Sequence, residues 1–565
     1  MDTDSLTPVD LNPVEVPPGS WLREATHCPR PLSPMFASGL PVVTETFRQA
    51  FAELGTWFDT VEYRVIGGWV YTRLVPLGGV EEQAPPPELM RQRAERAAES
   101  VRTGHLDAYL EEWRELRPQF EAEVARLRAV DLRAMEDGKL AEHLGEVLEF
   151  STWAFTVHFR LHGISALMLF DLVRTCRELL GWDDVRVLEL MSGRSEASTE
   201  PASSLARLTR LAGERPAVRR FLEGGGGDPS ALAAVDPEFA AAFDAHQATF
   251  AFRAIRYEVA DASMEETPSV TLRLIADQLR SGYDAAALAA EVEARREALR
   301  AEARSRLAGR SEAERQRFDR VLRRAERWYG VREEKASMTL SEQYTLIRRV
   351  ALEIGRRLAQ RSVLDDADHV FFLHLDEAVA AIAGGAPGGG RDWRDLVGLR
   401  REEQAWAEAN PGPPFHGPRS DPRAGFDELP VEMRFVSEAE LWFIERQGSF
   451  VVSHPQTSGG RLDGVAASSG VYTGPVRVLR SEADFDRLRP GDVLVCPITS
   501  PAWSVLFPNV GALVADEGGV LSHSAIIARE FQIPAVVATG NATSLLRDGQ
   551  RVTVDGTAGV VEVLG

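Results

Sequence analysis

The strongest constraint on this chain is a change of residue pattern near residue 460. Between about Pro87 and Val379, apolar residues recur at spacings of three and four among charged ones, which predicts helices. After the Gly/Ser-rich segment 453–464, short β-type runs separated by turn signals such as RPGD and DGTAG take over. The pattern therefore predicts a multidomain chain with a large, mainly α-helical domain and a smaller C-terminal α/β domain.

The same pattern sets the expected domain boundaries. These are a disordered arm at 1–20, a mainly helical domain at 21–452, a hinge at 453–464 and the C-terminal domain at 465–565. Within the helical domain, VIGGWVYTRLV (65–75) is expected to form a strand. Residues 139–182 are expected to form a buried helix, and residues 284–330 a solvated helical hairpin.

Composition narrows the possible functions. A net charge of −21 over 565 residues disfavours binding to nucleic acid or to an anionic membrane. Cys28, Cys176 and Cys496 are far apart and form no CxxC pair, which argues against a disulfide framework or a zinc site. Neither a signal peptide nor an apolar run of about 18 residues is present. We therefore expect a cytoplasmic protein with no nucleic-acid or membrane partner.

The clearest chemical motif lies between residues 511 and 540. A buried strand, ALVAD, runs into two glycines, Gly518 and Gly519, and His523 follows at the start of a short helix. Unpaired N–H groups and the helix dipole favour an anion there, and Ser522 and Ser524 add hydroxyl donors. A neutral imidazole is a nucleophile, so the motif fits a phosphoryl carrier. The Ser-His-Ser tripeptide alone also fits a helix-capping or core histidine.

The residues around the motif resemble the swivelling phosphohistidine domain of the phosphoenolpyruvate-utilising enzymes. That family carries Gly-Gly-x-x-Ser-His-x-Ala-Ile-x-Ala-Arg-Glu followed by Ile-Pro-Ala-Val, and this chain has GGVLSHSAIIAREFQIPAV at 518–536. Segments 464–479, 491–507 and 548–561 resemble the family's flanks. The resemblance implies a domain of β/β/α layers in which His523 is phosphorylated, with phosphate-binding residues Gly518, Gly519, Ser522, Ser524 and Arg529. Leu521 replaces a threonine of several members, which weakens any expectation of regulation through that position.

The larger region resembles the acceptor-binding part of rifampin phosphotransferase and the histidine-bearing subunit of phenylphosphate synthase. WLREATHCPRPLSPMF (21–36) and segments 252–275 and 353–379 carry this resemblance. Many relatives have Gly-His-Arg where this chain has Ala251-Phe252-Arg253. No ATP-grasp pattern is found, and EGGGGDPS (223–230) lacks the lysine of a P-loop. The resemblance therefore implies that a separate ATP-grasp partner binds ATP and Mg²⁺, with no metal bound here.

Six side chains of the helical domain are candidates for binding a small-molecule acceptor: His27, Trp69, His158, His162, Arg253 and Arg256. His158 and His162 share one helix face, so packing, pocket lining and metal binding stay open for them. His27 fits a structural or a pocket role, and Trp69 fits the core or ligand stacking. The two arginines fit phosphoryl contacts or surface ion pairs.

These observations predict an enzyme, a phosphotransferase subunit that is incomplete without its nucleotide-binding partner. It would carry a phosphoryl group on His523 to a hydroxyl of an aromatic or natural-product-like acceptor. Two alternatives stay open. The first is a dehydratase that phosphorylates a hydroxyl and then eliminates phosphate. The second is a non-catalytic scaffold or sensor that retains the fold.

Overall fold

The structure, a computed structural model, describes residues 15–79, 84–102, 105–194, 196–254, 256–388, 391–449, 457–458, 460–480 and 482–564. Most of the expected arm (1–14), and residues 453–456 and 459 of the expected hinge, lie outside the described residues. Helices dominate up to residue 449 and strands dominate after residue 460. The predicted fold class, a multidomain chain with a large helical region and a C-terminal α/β domain, is therefore confirmed.

The α-helices are α1 (Pro34–Ala37), α2 (Leu40–Leu54), α3 (Pro87–Ser100), α4 (His105–Arg128), α5 (Asp137–Leu180), α6 (Asp184–Glu189), α7 (Glu196–Gly213), α8 (Pro216–Glu223), α9 (Leu232–Val235), α10 (Pro237–Phe250), α11 (Pro268–Ser281), α12 (Ala285–Leu307), α13 (Glu312–Ala336), α14 (Glu342–Gln360), α15 (Leu375–Ile382), α16 (Trp393–Ala409), α17 (Val431–Gln447), α18 (His523–Glu530) and α19 (Ala542–Leu545). A π-helical turn, Ser337–Ser341, joins α13 to α14.

The strands are β1 (Trp21–Arg23), β2 (Phe58–Ile66), β3 (Trp69–Pro76), β4 (Phe415–His416), β5 (Thr457–Ser458), β6 (Arg461–Asp463), β7 (Val465–Ser468), β8 (Val471–Val478), β9 (Asp492–Cys496), β10 (Val510–Ala515), β11 (Ala535–Val537), β12 (Arg551–Asp555) and β13 (Val560–Val563).

The chain divides into two compact units. The first contains residues 1–164, 257–261 and 335–441, and the second contains residues 165–256, 262–334 and 442–565. The second unit therefore holds the C-terminal strands together with α6 to α12 and most of α13. The domain boundaries expected from the sequence stay predictions. Across the described ranges, no helix is both long and apolar enough to cross a membrane.

The first unit contains a four-stranded antiparallel sheet in the order β2-β3-β1-β4. The expectation of a single strand across residues 65–75 is wrong, because β2 and β3 form a hairpin with Ile66 opposite Trp69. Gly67 and Gly68 make the turn with φ of +58° and +82°. Two consecutive positive φ angles are the geometry of a tight hairpin turn, and glycine adopts it without steric cost.

Long helices form most of the remaining structure. The expected buried helix at 139–182 is α5, which runs for 44 residues and buries Leu144, Leu167 and Cys176. The expected hairpin at 284–330 is α12 followed by α13. Their arginine- and glutamate-rich sequences nevertheless bury Phe318 and Trp328 on one face, as an amphipathic helix does.

The second unit contains a nine-stranded sheet in the order β5-β6-β13-β12-β8-β9-β10-β11-β7. Strands β8 to β11 are parallel and the flanking pairs are antiparallel. All five residues of β9 (DVLVC) are buried, as expected for a strand covered on both faces. Strands β6 and β7 are separated in the chain only by Gly464, yet they lie near opposite ends of the sheet order. The sheet must therefore curl so that its two ends come close together.

One hydrophobic core joins the helical and sheet parts of the second unit. The 3₁₀ segment Pro501–Asn509 packs against α7 and α11. Its Trp503 is 2% exposed and belongs to the same buried cluster as Leu205 and Ile275. These contacts place α7 and α11 beside the sheet that carries the histidine motif.

Candidate functional site

His523 is the first residue of α18, just after the parallel strand β10. The carboxyl ends of parallel strands are where open α/β sheets place their ligands. Ser522 caps the helix, because its Oγ accepts a hydrogen bond from the Ala525 N–H at 3.4 Å. The predicted local structure, a glycine turn followed by a helix of about two turns, is therefore present.

The two glycines of the motif pack against the end of α17. Gly518 has φ of +113°, and a Cβ on Gly519 would lie 2.4 Å from the Arg446 carbonyl oxygen. That carbonyl accepts a hydrogen bond from the Leu521 N–H at 2.7 Å. In this conformation, the glycines allow the turn to approach another backbone, which no larger residue permits.

Thr499 contacts the ring of His523 from the loop after β9. Its Oγ1 lies 3.1 Å from His523 Nδ1 and 2.8 Å from Ser524 Oγ. The Thr499 N–H also donates to Ser524 Oγ, at 3.2 Å. Ser524 is fully buried, so these bonds hold the threonine hydroxyl against one ring nitrogen. The Thr499 contact therefore engages Nδ1, one of the two ring nitrogens of His523.

The charge next to His523 comes from Arg332 near the end of α13. Its Nη2 donates to the Leu521 carbonyl at 2.7 Å, and its guanidinium lies over the Phe443 ring. Burial of the imidazole, assisted by the Arg332 charge, lowers the pKa of His523 to about 3. The ring is therefore neutral at physiological pH and carries a lone pair.

Arg529, one of the predicted phosphate-binding residues, connects α18 to the sheet. Its Nη1 donates to the Ala467 carbonyl on β7 at 2.8 Å, and the side chain is 2% exposed. Burial lowers the pKa of Arg529, and the neighbouring Tyr329 opposes this effect. The adjacent Glu530 accepts the Gly193 N–H at 2.7 Å. Arg529 and Glu530 thus fix the helix that presents His523.

The site can bind an anion beside a neutral nucleophile. The first N–H groups of α18, the Ser522 hydroxyl and the Arg332 guanidinium lie around His523. Within the described ranges, no group of three or more His, Cys, Asp or Glu side chains is placed to hold a metal. The arrangement fits the transfer of a phosphoryl group onto and off the imidazole.

The predicted site residues fall into separate groups. Gly518, Gly519, Ser522 and Ser524 lie with His523, and Arg529 lies at the other end of the same helix. Arg253 and Arg256 are in the second unit, between α10 and α11, where the Arg253 guanidinium lies over the Phe250 ring.

The other four candidates lie in the first unit. Trp69 is buried beside Trp21 and donates from Nε1 to the Ala407 carbonyl at 3.0 Å. His158 and His162 have their ring centroids 6.2 Å apart on α5. His158 is buried, and its Nδ1 lies 2.9 Å from Thr339 Oγ1 and 3.5 Å from Lys335 Nζ, beside the π-helical turn. His27 contacts Glu24 and Tyr257.

Three residues of these sites are not among the sequence candidates: Thr499, Arg332 and Glu24. Thr499 lies inside the segment 491–507 that resembles the family's flank, so the motif comparison contained a usable signal. Arg332 follows a run of arginines in a helix with the composition of a solvated face, which hides it among many similar residues. Glu24 lies three residues before His27, and this spacing alone does not indicate that the two side chains form a pair.

Two family models match parts of this chain. Residues 488–559 match the family described as PEP-utilising enzyme, mobile domain, and residues 157–333 match the rifampicin phosphotransferase fourth domain. The C-terminal module is therefore similar to the mobile domain of the phosphoenolpyruvate-utilising enzymes, and the resemblance inferred from residues 518–536 is confirmed.

Individual relatives extend the similarity over nearly the whole chain. Chondramide synthase cmdD of Chondromyces crocatus is 30% identical over 574 residues, covering 96% of this chain and 14% of that protein. A rifampicin phosphotransferase of a Streptomyces species is 28% identical over 68% of this chain and 42% of its own length. The uncharacterized phosphotransferase YvkC of Bacillus subtilis is 35% identical over 38% of this chain and 23% of its own. The chain thus spans less than half the length of each of these relatives.

Proposed function

We propose that this chain is a phosphotransferase subunit that carries a phosphoryl group on His523. In the proposed cycle, a separate ATP-grasp protein binds ATP and Mg²⁺ and phosphorylates His523. The carrier then passes the group to a hydroxyl of a small-molecule acceptor. The observation that carries the proposal is a neutral His523 at the start of α18 beside Arg332, within a matched mobile domain. The match of residues 157–333 to a rifampicin phosphotransferase domain supports a small-molecule acceptor.

The nucleophile in this mechanism is Nε2 of His523. With the Thr499 hydroxyl donating to Ser524, its oxygen accepts the Nδ1 proton, and the lone pair resides on Nε2. Attack on phosphorus forms the Nε2–P bond while the bond from phosphorus to the leaving oxygen of the nucleotide breaks, and the ring becomes positively charged. Because Thr499 keeps the Nδ1 proton bonded, the ring returns to neutral imidazole when the Nε2–P bond breaks. The same hydrogen bond therefore serves both half-reactions.

In the proposed mechanism, Arg332 and the first N–H groups of α18 stabilise the negative charge on the phosphoryl oxygens. The transferring oxygens carry negative charge, which a guanidinium and helical N–H groups stabilise in a site partly shielded from water. Arg332 is 8% exposed and fixed by its bond to the Leu521 carbonyl. A fixed charge of this kind needs little reorganisation during the transfer, so it stabilises the transition state efficiently.

The carrier must visit a nucleotide site and an acceptor site, so we propose that it moves on the 453–464 segment. Residues 461–463 form β6 and pair with β13, and the Gly464 N–H donates to the Gly559 carbonyl at 2.9 Å.

A labelling experiment tests the carrier role. We expect wild-type protein treated with potassium phosphoramidate, a reagent that phosphorylates imidazoles, to gain one acid-labile, base-stable phosphate on His523. His523→Asn is expected to lose it. His246→Asn is the matched control, because His246 is also buried, also bonded to a hydroxyl (Ser204 Oγ, 2.9 Å) and also has its pKa lowered, to about 4. Equal labelling of wild type and His523→Asn contradicts the proposal.

The assignment of ATP to a partner is tested separately. Calorimetry of the purified chain with Mg-ATP is expected to show no binding. Micromolar binding of Mg-ATP to this chain alone would remove the need for a partner while leaving the role of His523 intact.

A further inference from the structure

The solvent-facing side of α13 carries only arginines between residues 317 and 327. The opposite side of this stretch is apolar and buries Phe318, Leu322 and Ala325 in a hydrophobic core. At 3.6 residues per turn, the outward positions fall within an arc about 120° wide. Each of these positions is an arginine: Arg317, Arg320, Arg323, Arg324 and Arg327. These residues form the arginine face.

Most of this positive charge has no counter-charge within hydrogen-bonding reach. In the part of the chain that the structure describes, Arg320, Arg323 and Arg324 make no hydrogen bond and no ion pair. Arg317 pairs with Glu178, an exposed residue of α5, at 2.9 Å. The middle of the arginine face is therefore a set of guanidinium groups directed at solvent.

A half-buried carboxyl on α5 lies near the arginine face but does not neutralise it. Asp171 interacts electrostatically with four guanidinium groups, those of Arg174, Arg317, Arg320 and Arg324. Burial raises the pKa of Asp171, and the four arginine charges only partly oppose this effect. Even when it is ionised, Asp171 balances a single one of these charges. The surface around it therefore stays positive.

Other exposed helices of this chain place their charges differently. Arginines of α3 and α4 pair with glutamates one turn away: Arg91 with Glu95, Arg96 with Glu99, and Arg114 with Glu111. Such pairs stabilise a helix, whereas like charges at the same spacing destabilise it. Arg320 instead has Arg317, Arg323 and Arg324 as its neighbours at one-turn spacing. The arginine face therefore lowers the stability of the isolated protein, and an opposite charge that covers it relieves the repulsion.

We propose that the arginine face is a docking surface for an acidic surface of another protein. The chain carries a net charge of −21, so a positive face is an exception on it and attracts acidic groups at close range. From Arg317 to Arg327 the face is about 15 Å long. That length fits a row of Asp and Glu side chains on a partner protein and exceeds a single phosphate or carboxylate. The net negative charge disfavours nucleic acid, whose long charge array repels the chain as a whole.

The arginine face ends close to the histidine site. Arg327 precedes Arg332 by about 7.5 Å along the axis of α13. Arg332 donates to the carbonyl of Leu521, two residues before His523. An acidic protein on the arginine face therefore lies near the carrier histidine. Docking there does not depend on the carrier role of His523, so the failure of either leaves the other in place.

Binding of an acidic polypeptide tests the docking role. The probe is fluorescein-labelled poly-L-glutamate, and its anisotropy is measured with full-length protein at low and high salt. Wild type is expected to bind the probe, and less tightly at high salt. Arg320→Gln/Arg323→Gln/Arg324→Gln, the face variant, is expected to bind about tenfold more weakly, the scale of losing three exposed charge pairs. Glutamine keeps the helix propensity of arginine, so α13 is expected to stay intact.

A matched control removes the same charge elsewhere. Arg91→Gln/Arg96→Gln/Arg114→Gln changes three exposed arginines that are paired with glutamates, and it is expected to bind the probe as wild type does. Urea unfolding separates the two variants further. At low salt the face variant should have a higher free energy of unfolding than wild type, because repulsion is relieved, and the control a lower one. Both differences should shrink at high salt.

Each outcome decides the proposal. Weaker binding by the face variant alone, together with its higher stability, supports it. Equal loss of binding in the face variant and the control, or no binding by wild type, overturns it. A face variant that is less stable than wild type also overturns it, because the arginines then stabilise the isolated protein. Tighter binding of single-stranded DNA than of poly-L-glutamate assigns the face to nucleic acid instead, and self-association that the face variant abolishes assigns it to a second copy of this chain.

Discussion

The hydroxyl of Thr499 offers the sharpest test of how His523 is activated. Thr499→Val keeps the shape of the side chain and removes the bond to Nδ1. A neutral hydrogen bond contributes about 1 kcal/mol, and one to a charged group about 2 kcal/mol. Because the ring becomes positive as it attacks phosphorus, the bond is stronger in the transition state by about 1 kcal/mol. That difference corresponds to about a fivefold lower rate of phosphorylation.

The effect of the same substitution on stability is expected to be small. Ser524 Oγ keeps its bond from the backbone N–H of residue 499, so it stays partnered when the hydroxyl is gone. We therefore expect the free energy of unfolding to fall by only about 1 kcal/mol. Time courses of labelling by potassium phosphoramidate measure the rate, and urea unfolding measures the stability.

Thr499→Ser is the matched control, because it restores the hydroxyl without the methyl group. It is expected to recover the wild-type labelling rate. If Thr499→Val labels as fast as wild type, or if the serine variant is as slow as the valine variant, the hydrogen bond does not activate the ring.

Three further predictions concern charge and packing. Arg332→Met removes the charge that helps lower the pKa of His523. Its labelling rate should therefore fall more steeply than that of wild type as the pH drops from 7 to 5, and parallel profiles would exclude this role. Gly519→Ala should lower the free energy of unfolding, because the new Cβ would lie 2.4 Å from the Arg446 carbonyl oxygen. Gly145→Ala is the control inside α5, where a Cβ would have no atom within 4 Å, and it should raise the free energy of unfolding in urea by about 0.5–1 kcal/mol. Burial raises the pKa of Glu440 to about 8, against about 4.5 for an ordinary glutamate. Between pH 5 and 8 the folded state therefore keeps a proton that the unfolded state releases, and the free energy of unfolding should fall as the pH rises through this range. Glu440→Gln should flatten this dependence, and an unchanged slope in urea unfolding would show that Glu440 is not its source.

The histidine motif was predictable because its determinants are local. Two glycines, a capping serine and a short amphipathic run specify a turn and a helix within 13 residues, 518–530, so periodicity and capping rules suffice. The change from helices to strands after residue 460 was predictable for the same reason. The histidine motif and this change of pattern both depend on residues that are close together in the sequence.

The partners of His523 were harder to predict because they are distant in sequence. Thr499 is 24 residues away, and Arg332 reaches the site from a helix whose composition indicates solvent exposure. The hairpin at residues 58–76 was missed because Gly67-Gly68 was taken into a strand, although paired glycines between β-type runs are a turn signal. The pairing of Glu24 with His27 depends on burial, which residue spacing does not reveal.

Strands β6 and β13 of the C-terminal sheet have a consequence for how this part of the chain is joined to the rest of a polypeptide. Strand β6 pairs with β13, with Arg461 opposite Glu562, so the polypeptide enters and leaves the module at adjacent points. A module whose two ends meet can be inserted into a host chain, appended to it or circularly permuted without stretching its sheet. The position of His523 nevertheless also depends on Arg332 and on the end of α17, which precede the sheet in the chain. Joining this sheet to a different host protein therefore requires a surface that replaces α7 and α11 in the shared hydrophobic core.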